Sequence, residues 1–368
     1  MKNRMTRLFT LLLLWSAVGT GLVPQTSQAQ PQPADNGIGL LLITDFDEHT
    51  VLAYDRDTGG FVGEFVPRKE GGLNYPTGIL FGPHDQNLYV SSGSFGGMGE
   101  LTAICRYDGT TGPFVDVFAE DALVSPRGII FGPDGHLYVA DRPTIGEGRI
   151  LRYHGTTGEL LDEFVPTSSD GLSNPVGLVF GPSGSNPNRL DLYVTSTLAN
   201  SIARYDGETG AYLGDFVKPN AHQLDHPIGL IFGPDGNLYV ANWAAGSGHL
   251  AVLRFEGPAG KSPGAPLPSL GNSGADFVPP GSGGLLAPAA LLFGPDANGD
   301  GHLDLYVAGS SVNGALKSNK HSGSVKRYDG VTGAFIDTFV PVDSGGLRSP
   351  FLMTFTETDP VTLKYLGD

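Results

Sequence analysis

The sequence contains one cysteine, Cys105, among its 368 residues. A single cysteine cannot form a disulfide within the chain, so internal cross-links are excluded as a source of stability. Cys105 lies in the strand-like stretch Leu-Thr-Ala-Ile-Cys-Arg-Tyr, which predicts a buried thiol rather than a nucleophile. The stability of the protein must therefore come from the packing of its core, to which a bound metal could add.

Basic residues are scarce. The chain has 22 Lys and Arg residues against 38 Asp and Glu residues, and its formal net charge is −16. Nucleic acids and anionic membranes are bound through a basic face, which this composition does not favour. The sequence therefore predicts neither of them as a partner.

Long apolar runs are also rare. The one long run, Leu8–Val23, follows three basic residues and precedes Ser27-Gln28-Ala29, an arrangement typical of a secretory signal peptide. We predict a signal peptide over residues 1–29 that is cut after Ala29, a flexible lead-in over residues 30–38, and a secreted or periplasmic protein. An uncleaved membrane anchor is the alternative. No second apolar run is long enough to span a bilayer.

Glycine, in contrast, makes up 55 of the 368 residues, about twice its usual share. Much of it belongs to a repeated strand-turn-strand pattern, of which Ser125–Asp141 is a clear copy. The pattern begins Pro-x-Gly and continues through Phe-Gly-Pro-Asp-Gly to Leu-Tyr-Val. Its first prolines are Pro76, Pro126, Pro175, Pro227, Pro288 and Pro350, at spacings of 50, 49, 52, 61 and 62 residues. Periods near this length indicate a propeller or a solenoid.

Each repeat offers four strand-like runs. The first run is almost wholly apolar, as expected for a strand buried on both faces, and the second reads Leu-Tyr-Val. The third run ends in Arg-Tyr, and the fourth alternates apolar with acidic residues, which suits an outermost strand. Residues 261–273 and 310–322 are predicted loop insertions, and they explain the two long spacings.

The two ends of the repeat region complete each other. Residues 40–66 supply only second, third and fourth strands, whereas residues 350–357 supply only a first strand. Together they make one unit, so we predict an all-β fold: a six-bladed β-propeller of four-stranded antiparallel blades within one domain over residues 39–368. A solenoid is the alternative, but it would more naturally carry distinct caps.

The stretches that end at Asp141 and Asn242, Phe-Gly-Pro-Asp-Gly-His/Asn-Leu-Tyr-Val-Ala-Asp/Asn, resemble NHL-repeat propellers. They are also similar to the wider superfamily of gluconolactonase-like enzymes and streptogramin lyases. The resemblance covers residues 39–357 and implies the propeller fold. The N-terminal Glu ligand of those lactonases and the Trp-Phe-Thr-Glu signature of the lyases have no equivalents in this chain.

One turn differs from the others and predicts a calcium site. It offers side-chain oxygens at positions 1, 3, 5 and 9 of a nine-residue loop, namely Asp296, Asn298, Asp300 and Asp304. Ca²⁺ takes six to eight hard oxygen ligands, and Gly301 permits the tight turn that converges them. His302 would contribute its backbone carbonyl. The loop is similar to the calcium loop of FG-GAP propellers, and we expect a structural role.

A plain polar turn is the alternative interpretation of this loop. A loop of the same length, Ser183–Asp191, keeps only the last of the four oxygen-bearing residues. Loop length alone therefore does not require a metal, and the ligand set at 296–304 is a separate feature.

The second candidate site is the mouth of the central channel, where first strands begin and second strands end. Candidate ligand-binding residues there are Tyr75, Arg127, Asn174, His226 and Trp243. Asp45, Asp141, Asn242 and His226 could instead hold a catalytic divalent metal, because the superfamily lactonases use a similar carboxylate and amide set. Turn capping by hydrogen bonds to the backbone is the structural alternative for each ring residue.

These observations predict a secreted binding or interaction scaffold with a structural calcium ion, rather than an enzyme. The predicted partner is a protein, a glycan or a small molecule at the channel-mouth face. A metal-dependent hydrolase or lactonase is the alternative, and a streptogramin-type lyase is a third and weaker one. Fold alone does not decide among them.

Overall fold

A computed structural model describes residues 39–93, 100–167, 169–186, 188–310 and 322–367. The predicted signal peptide and lead-in, and most of the 310–322 insertion, lie outside these ranges. Within the described ranges, no helix is long and apolar enough to cross a membrane.

The described chain forms 24 strands in six four-stranded sheets, which we number as blades 1 to 6. Each blade is given from its inner to its outer strand. Blade 1 comprises β24 (Pro350–Phe355), β1 (Leu40–Asp45), β2 (Thr50–Asp55) and β3 (Phe61–Val66). Blade 2 comprises β4 (Ile79–Phe81), β5 (Leu88–Ser92), β6 (Ala103–Tyr107) and β7 (Phe114–Ala119). Blade 3 comprises β8 (Pro126–Phe131), β9 (Leu137–Asp141), β10 (Arg149–Tyr153) and β11 (Leu160–Val165).

The remaining blades follow the same plan. Blade 4 comprises β12 (Pro175–Pro182), β13 (Leu190–Ser196), β14 (Ser201–Asp206) and β15 (Tyr212–Val217). Blade 5 comprises β16 (Pro227–Phe232), β17 (Leu238–Asn242), β18 (Ala251–Phe255) and β19 (Asp276–Val278). Blade 6 comprises β20 (Pro288–Gly294), β21 (Asp304–Gly309), β22 (Ser324–Tyr328) and β23 (Phe335–Val340).

Single 3-10 turns follow five of the six outer strands. Each turn is succeeded by a leucine that is buried in the core, and this leucine fixes the path to the next blade. The turns are Glu70–Gly72, Ser169–Gly171, Ala221–Gln223, Ser282–Gly284 and Ser344–Gly346.

The ring is closed by the C-terminal inner strand. β24 pairs antiparallel with β1, with Leu41 opposite Phe355 and Leu42 opposite Thr354. The inner strands of successive blades contact each other around the whole ring, and β24 contacts both β20 and β4. The six-bladed propeller predicted from the split first and last units is therefore confirmed.

A tyrosine on the second strand joins each of five blades to the next. In blade 3, Tyr138 makes edge-on contacts with Phe164 of its own outer strand and with Phe180 of the next inner strand, at centroid distances of 4.9 and 5.1 Å. The same geometry recurs around Tyr89, Tyr193, Tyr239 and Tyr306. The repeated Phe and Tyr of the sequence pattern are thus the packing units between blades.

The hydroxyl of this tyrosine explains the aspartate of the Pro-Asp-Gly turn. Tyr138 donates a hydrogen bond of 2.9 Å to Asp134, whose other carboxylate oxygen accepts the backbone N–H of His136. Tyr89 and Tyr239 donate in the same way to Asp85 and Asp235. The turn residue is therefore structural.

The C-terminal residues after β24 form a small hairpin, with Thr358 bridged to Tyr365. The carbonyl of Pro360 accepts the backbone N–H of Phe131, which ends an inner strand at the face opposite the channel mouth. Leu363 lines a narrow apolar section of the channel, of about 40 Å³, together with inner-strand residues. This hairpin lies across the end of the channel away from the mouth.

Removing only the hydroxyl, with Tyr138→Phe, should lower the free energy of unfolding by about 1 kcal/mol, because one hydrogen bond is lost and the ring contacts remain. Removing the ring, with Tyr138→Ala, should cost about 3–5 kcal/mol, because a cavity opens between two blades. Urea denaturation of the two variants measures both values. Equal losses would contradict the assignment of the tyrosine ring as the contact between blades.

Candidate functional site

A cavity of about 290 Å³ opens at the channel mouth. Five of the six blades line it, each through residues at or next to the start of its inner strand or just after the end of its second strand. These two positions meet because each inner strand begins opposite the residue that ends the second strand, as Pro126 does opposite Asp141.

The first of these positions is the variable residue of Pro-x-Gly. It places Arg127, Val176, Ile228, Ala289 and Phe351 in the lining. In blade 2 the equivalent residue, Thr77, does not line the cavity; it is fully buried and shares a hydrogen bond of 2.8 Å with the hydroxyl of Ser91.

The second position is the residue that follows the end of the second strand. It contributes Phe46, Arg142, Trp243 and Ser310 to the lining. The side chains at these positions differ from blade to blade in size and charge. The cavity wall is therefore uneven around a ring whose core residues repeat.

Blade 3 makes the cationic side of the cavity through Arg127 and Arg142. Arg127 is 7% exposed. Burial, together with the positive charge of Arg142, lowers the pKa of Arg127 to about 10, while Asp141 acts in the opposite direction. Nη2 of Arg142 lies 3.4 Å from the hydroxyl of Ser125.

Blade 1 makes an aromatic side. Phe46 stacks on Phe351 with ring centroids 5.6 Å apart, and it also contacts Tyr75 at 5.1 Å. The backbone N–H of Tyr75 donates to Nδ1 of His49. Tyr75 thus stands behind Phe46 and supports this wall.

The other predicted ligand-binding residues lie at or near the cavity. Arg127, Asn174 and Trp243 line it, and Oδ1 of Asn174 accepts the backbone N–H of Gly146. The ring of His226 lies 6.3 Å from that of Trp243, and its Nδ1 is 2.5 Å from Oδ1 of Asp225.

Asp45, Asp141 and Asn242 occupy equivalent positions in three blades, and each is fully buried. Asp45 accepts backbone N–H groups of Arg348 and Ser349 at 2.6 and 3.2 Å. Asp141 accepts those of Val124 and Ser125 at 3.0 and 2.7 Å, and Asn242 accepts that of Asp225 at 2.8 Å. In each blade the side chain holds the loop that leads into its own inner strand.

The same contact is made by hydroxyls in two other blades. Ser92 accepts the backbone N–H of Asn74, and Ser196 accepts that of Ser173, both at 2.9 Å. A role that serine performs equally well does not need a metal ligand. Within the described ranges, no group of three or more His, Cys, Asp or Glu side chains is arranged to hold a metal ion.

Sequence reasoning missed Phe46, Arg142 and Phe351. It assigned the mouth to residues beside the first prolines and to the last residue of each second strand, whereas at the second place the cavity is lined by the residue that follows the strand. The sequence signal for this position is that the residue differs from blade to blade: Phe, Arg, Trp and Ser follow second strands that end in similar ways. Trp243 was identified because its type stands out.

The predicted calcium loop joins β20 to β21. The carboxylate of Asp296 accepts the backbone N–H groups of Gly299 and Gly301 at 2.7 and 2.8 Å, and these bonds lower its pKa. Asp300 accepts the N–H of His302, and Asn298 accepts that of Asp300. The loop is therefore shaped by its own side chains.

Asp304 is the unusual member of this loop. It is 1% exposed, and its Oδ1 has no hydrogen-bond partner among the described residues. Its Oδ2 accepts the backbone N–H of Ala297. Burial raises its pKa, and the charges of Asp296, Asp329 and Asp300 raise it further. A buried oxygen in this state fits a cation ligand.

The equivalent residue of blade 4 shows the contrast. Asp191 is paired with Arg204 at 2.8 and 2.5 Å, because the outer strand of that blade offers Gly214 opposite the arginine. In blade 6, Arg327 pairs with Asp337 of the outer strand. The arginine that compensates Asp191 is thus engaged elsewhere in the blade of Asp304.

Neither a family model nor a curated protein sequence matches the chain. Solved structures do. A chain in the crystal structure of a nidogen/laminin complex is similar over 86% of this chain and 98% of its own length, at 19% identity and a TM-score of 0.55. A protein of unknown function from Bacteroides caccae is similar over the same shares, at 16% identity and a TM-score of 0.56.

A gluconolactonase from Xanthomonas campestris is similar over 73% of this chain and 78% of its own length, with 17% identity and a TM-score of 0.47. The structural neighbours thus include both nidogen-type and gluconolactonase-type proteins. The resemblance stated from the repeat motifs is confirmed at the level of the fold.

The stability of Asp45→Asn relative to the wild type should increase as the pH rises from 4 to 7. Burial raises the pKa of Asp45 to about 6, against the opposing effect of its backbone hydrogen bonds. Its contribution to stability is therefore complete below about pH 4 and is lost as the pH rises through 6, a loss of at most about 3 kcal/mol. Asn242 fills the equivalent position of blade 5, where its oxygen accepts one backbone N–H and its Nδ2 donates to the carbonyls of Gln223 and His249.

Thermal unfolding in EDTA at pH 4 and pH 7 measures this effect. The unfolding midpoint of Asp45→Asn, taken relative to that of the wild type, should be higher at pH 7 than at pH 4. Ser196→Ala, which removes an uncharged cap, should lower the midpoint by a similar amount at both. A difference between Asp45→Asn and wild type that does not change with pH would contradict the raised pKa of Asp45.

Proposed function

We propose that the protein is a ligand-binding propeller whose site is the channel-mouth cavity. The cavity itself carries the proposal: about 290 Å³ of space lined by apolar and aromatic side chains with two arginines at one side. Small-molecule sites usually combine mostly apolar walls with a few placed polar groups. A small molecule is thus the partner class that the geometry supports best.

The position of the cavity also supports binding. It lies where loops join a rigid ring, and binding residues are often presented in this way. The nidogen/laminin structure is one of a protein–protein complex, but at 19% identity that likeness concerns the fold alone. The proposal therefore rests on the cavity.

A secreted or periplasmic location is proposed from the residue pattern of positions 1–29.

A metal-dependent hydrolase or lactonase using Asp45, Asp141, Asn242 and His226 stays a prediction. The oxygens of the first three residues accept backbone hydrogen bonds in three different blades. His226 is engaged with Asp225. These contacts support capping more directly than the assembly of one metal centre.

We also propose a structural calcium ion at the 296–304 loop. Asp296, Asn298, Asp300 and Asp304 supply side-chain oxygens, and His302 supplies its carbonyl. The unpartnered, buried Oδ1 of Asp304 supports this proposal, because it would gain a ligand bond there. Asp329, from the turn after β22, lies 2.9 Å from Nδ2 of Asn298 and adds a further carboxylate beside the loop.

Calcium should raise the thermal midpoint of the wild-type protein relative to EDTA, by a few degrees at 100 times the dissociation constant, which corresponds to about 2.7 kcal/mol. Asp300→Ala and Asp304→Asn should abolish the shift. Asp191→Asn, at the equivalent position of blade 4, should lower the midpoint but keep the shift. Differential scanning calorimetry with and without Ca²⁺ measures it, and an unchanged wild-type midpoint would contradict the site.

Filling the cavity should abolish ligand binding. Ala289→Phe places a large ring at a position where blade 1 already carries Phe351, so the strand can accept it. A small-molecule library screened by thermal shift should give hits with the wild type and with the exposed control Ala211→Phe, but none with Ala289→Phe. Hits that survive Ala289→Phe would place binding elsewhere.

A further inference from the structure

We propose that the ligand of the channel-mouth cavity is a monocarboxylate with a compact apolar body. Its carboxylate is bound by Arg127 and Arg142, and its apolar body lies against Trp243 and the aliphatic residues beside it. This inference rests on the proposed binding function and deepens it by naming the ligand class.

The two arginines come from the two lining positions of one blade. Arg127 follows Pro126, and Arg142 follows Asp141. Pro126 and Asp141 lie opposite each other in the pairing of β8 with β9. Both guanidinium groups therefore stand at the same side of the cavity, where each raises the electrostatic cost of the other. An anion between them would remove this cost, and arginine is suited to bind carboxylates through two parallel hydrogen bonds.

The charge around these arginines favours a monoanion. Behind them, Arg149 is paired with Asp141 and Glu163 at 2.9 and 2.8 Å. Asp141 and Glu163 thus share a cation that lies outside the cavity lining. Asp47 lines the cavity from blade 1 and would repel a second negative group at that end.

The rest of the cavity selects an apolar body. Val176, Ile228 and Ala289 form one buried cluster, against which Trp243 and Phe351 pack. A charged or sugar-like body would lose its hydration here without matching hydrogen bonds. An aromatic or aliphatic group would bury apolar surface against these side chains.

The volume sets the size of the ligand. A cavity of about 290 Å³ lies at the small end of the range for pockets that hold organic ligands, roughly 300–1,000 Å³. A single ring on a short chain with a terminal carboxylate is of suitable size. Phenylacetate and 3-phenylpropionate are therefore the probes of choice, with their amides as uncharged isosteres.

Trp243 provides a direct readout. The chain has two tryptophans, Trp15 and Trp243, so full-length protein carrying Trp15→Phe reports on the cavity alone. Fluorescence titration should show saturable binding of both carboxylates, with affinities at least tenfold higher than those of the amides. Isothermal titration calorimetry on the unaltered protein should give the same order.

Two variants test the arginines. Arg142→Gln, at a half-buried position, should reduce the ratio of carboxylate to amide affinity at least fivefold, and Arg127→Gln should do the same if it folds. Arg68→Gln, an exposed control outside the cavity, should keep the wild-type ratio. Inorganic phosphate and sulfate should compete poorly with phenylacetate.

The outcomes separate this inference from the function on which it rests. Equal affinities for acid and amide, or a ratio that Arg142→Gln leaves unchanged, would overturn the carboxylate class while the binding site stands. Phosphate that competes as well as phenylacetate would replace the class by inorganic anions. If the Ala289→Phe variant binds the probes as the wild type does, the cavity itself is not the site.

Discussion

The whole ring depends on one repeated contact, the edge-on packing of a second-strand tyrosine against a phenylalanine of its own blade and one of the next. The chain has no internal disulfide, so these aromatic contacts and the aliphatic core between the blades hold neighbouring blades together. Five of the six junctions carry this arrangement. At the junction of blades 1 and 2, Leu42 occupies the place of the tyrosine, and the inner strand of blade 2 is only three residues long. Closure by β24 also falls on blade 1, so the least aromatic junction lies beside the point where the two ends of the domain meet.

Core and site use different positions of the same short strands. The inward-facing aliphatics, the tyrosine and the turn aspartate repeat because each must fit the same space between blades. The residue after the first proline and the residue after the second strand are free of that demand, and they vary from arginine to tryptophan to alanine. Their variation places two charges, several aromatic rings and small residues around one opening. A symmetric frame thereby carries an asymmetric cavity.

The fold could be predicted because its signal is periodic: proline, phenylalanine and tyrosine recur at fixed places, and the split first and last units reveal the closure. The site was harder. Asp45 and Asp141, at the ends of their strands, suggest metal ligands by residue type. Their carboxylates instead accept hydrogen bonds from a backbone loop. The register of most inner strands shifts between their first proline and their later residues, as between Pro126 and Ile129. Such shifts in register decide which of two neighbouring residues faces the channel, and the amino-acid sequence does not show them. The predicted calcium loop could be proposed because its oxygen-bearing residues are local in sequence, but the isolation of Asp304 depends on where Arg327 points.

The C-terminal hairpin makes the two ends of the central channel different. Leu363 occupies the apolar narrow section of the channel, and the hairpin around it lies across the far end. If a ligand binds at the mouth, this narrow section and the hairpin favour entry and release through the same opening. The lifetime of any complex is then set by the side chains and loops at that opening, and changes there would alter entry and release rates together.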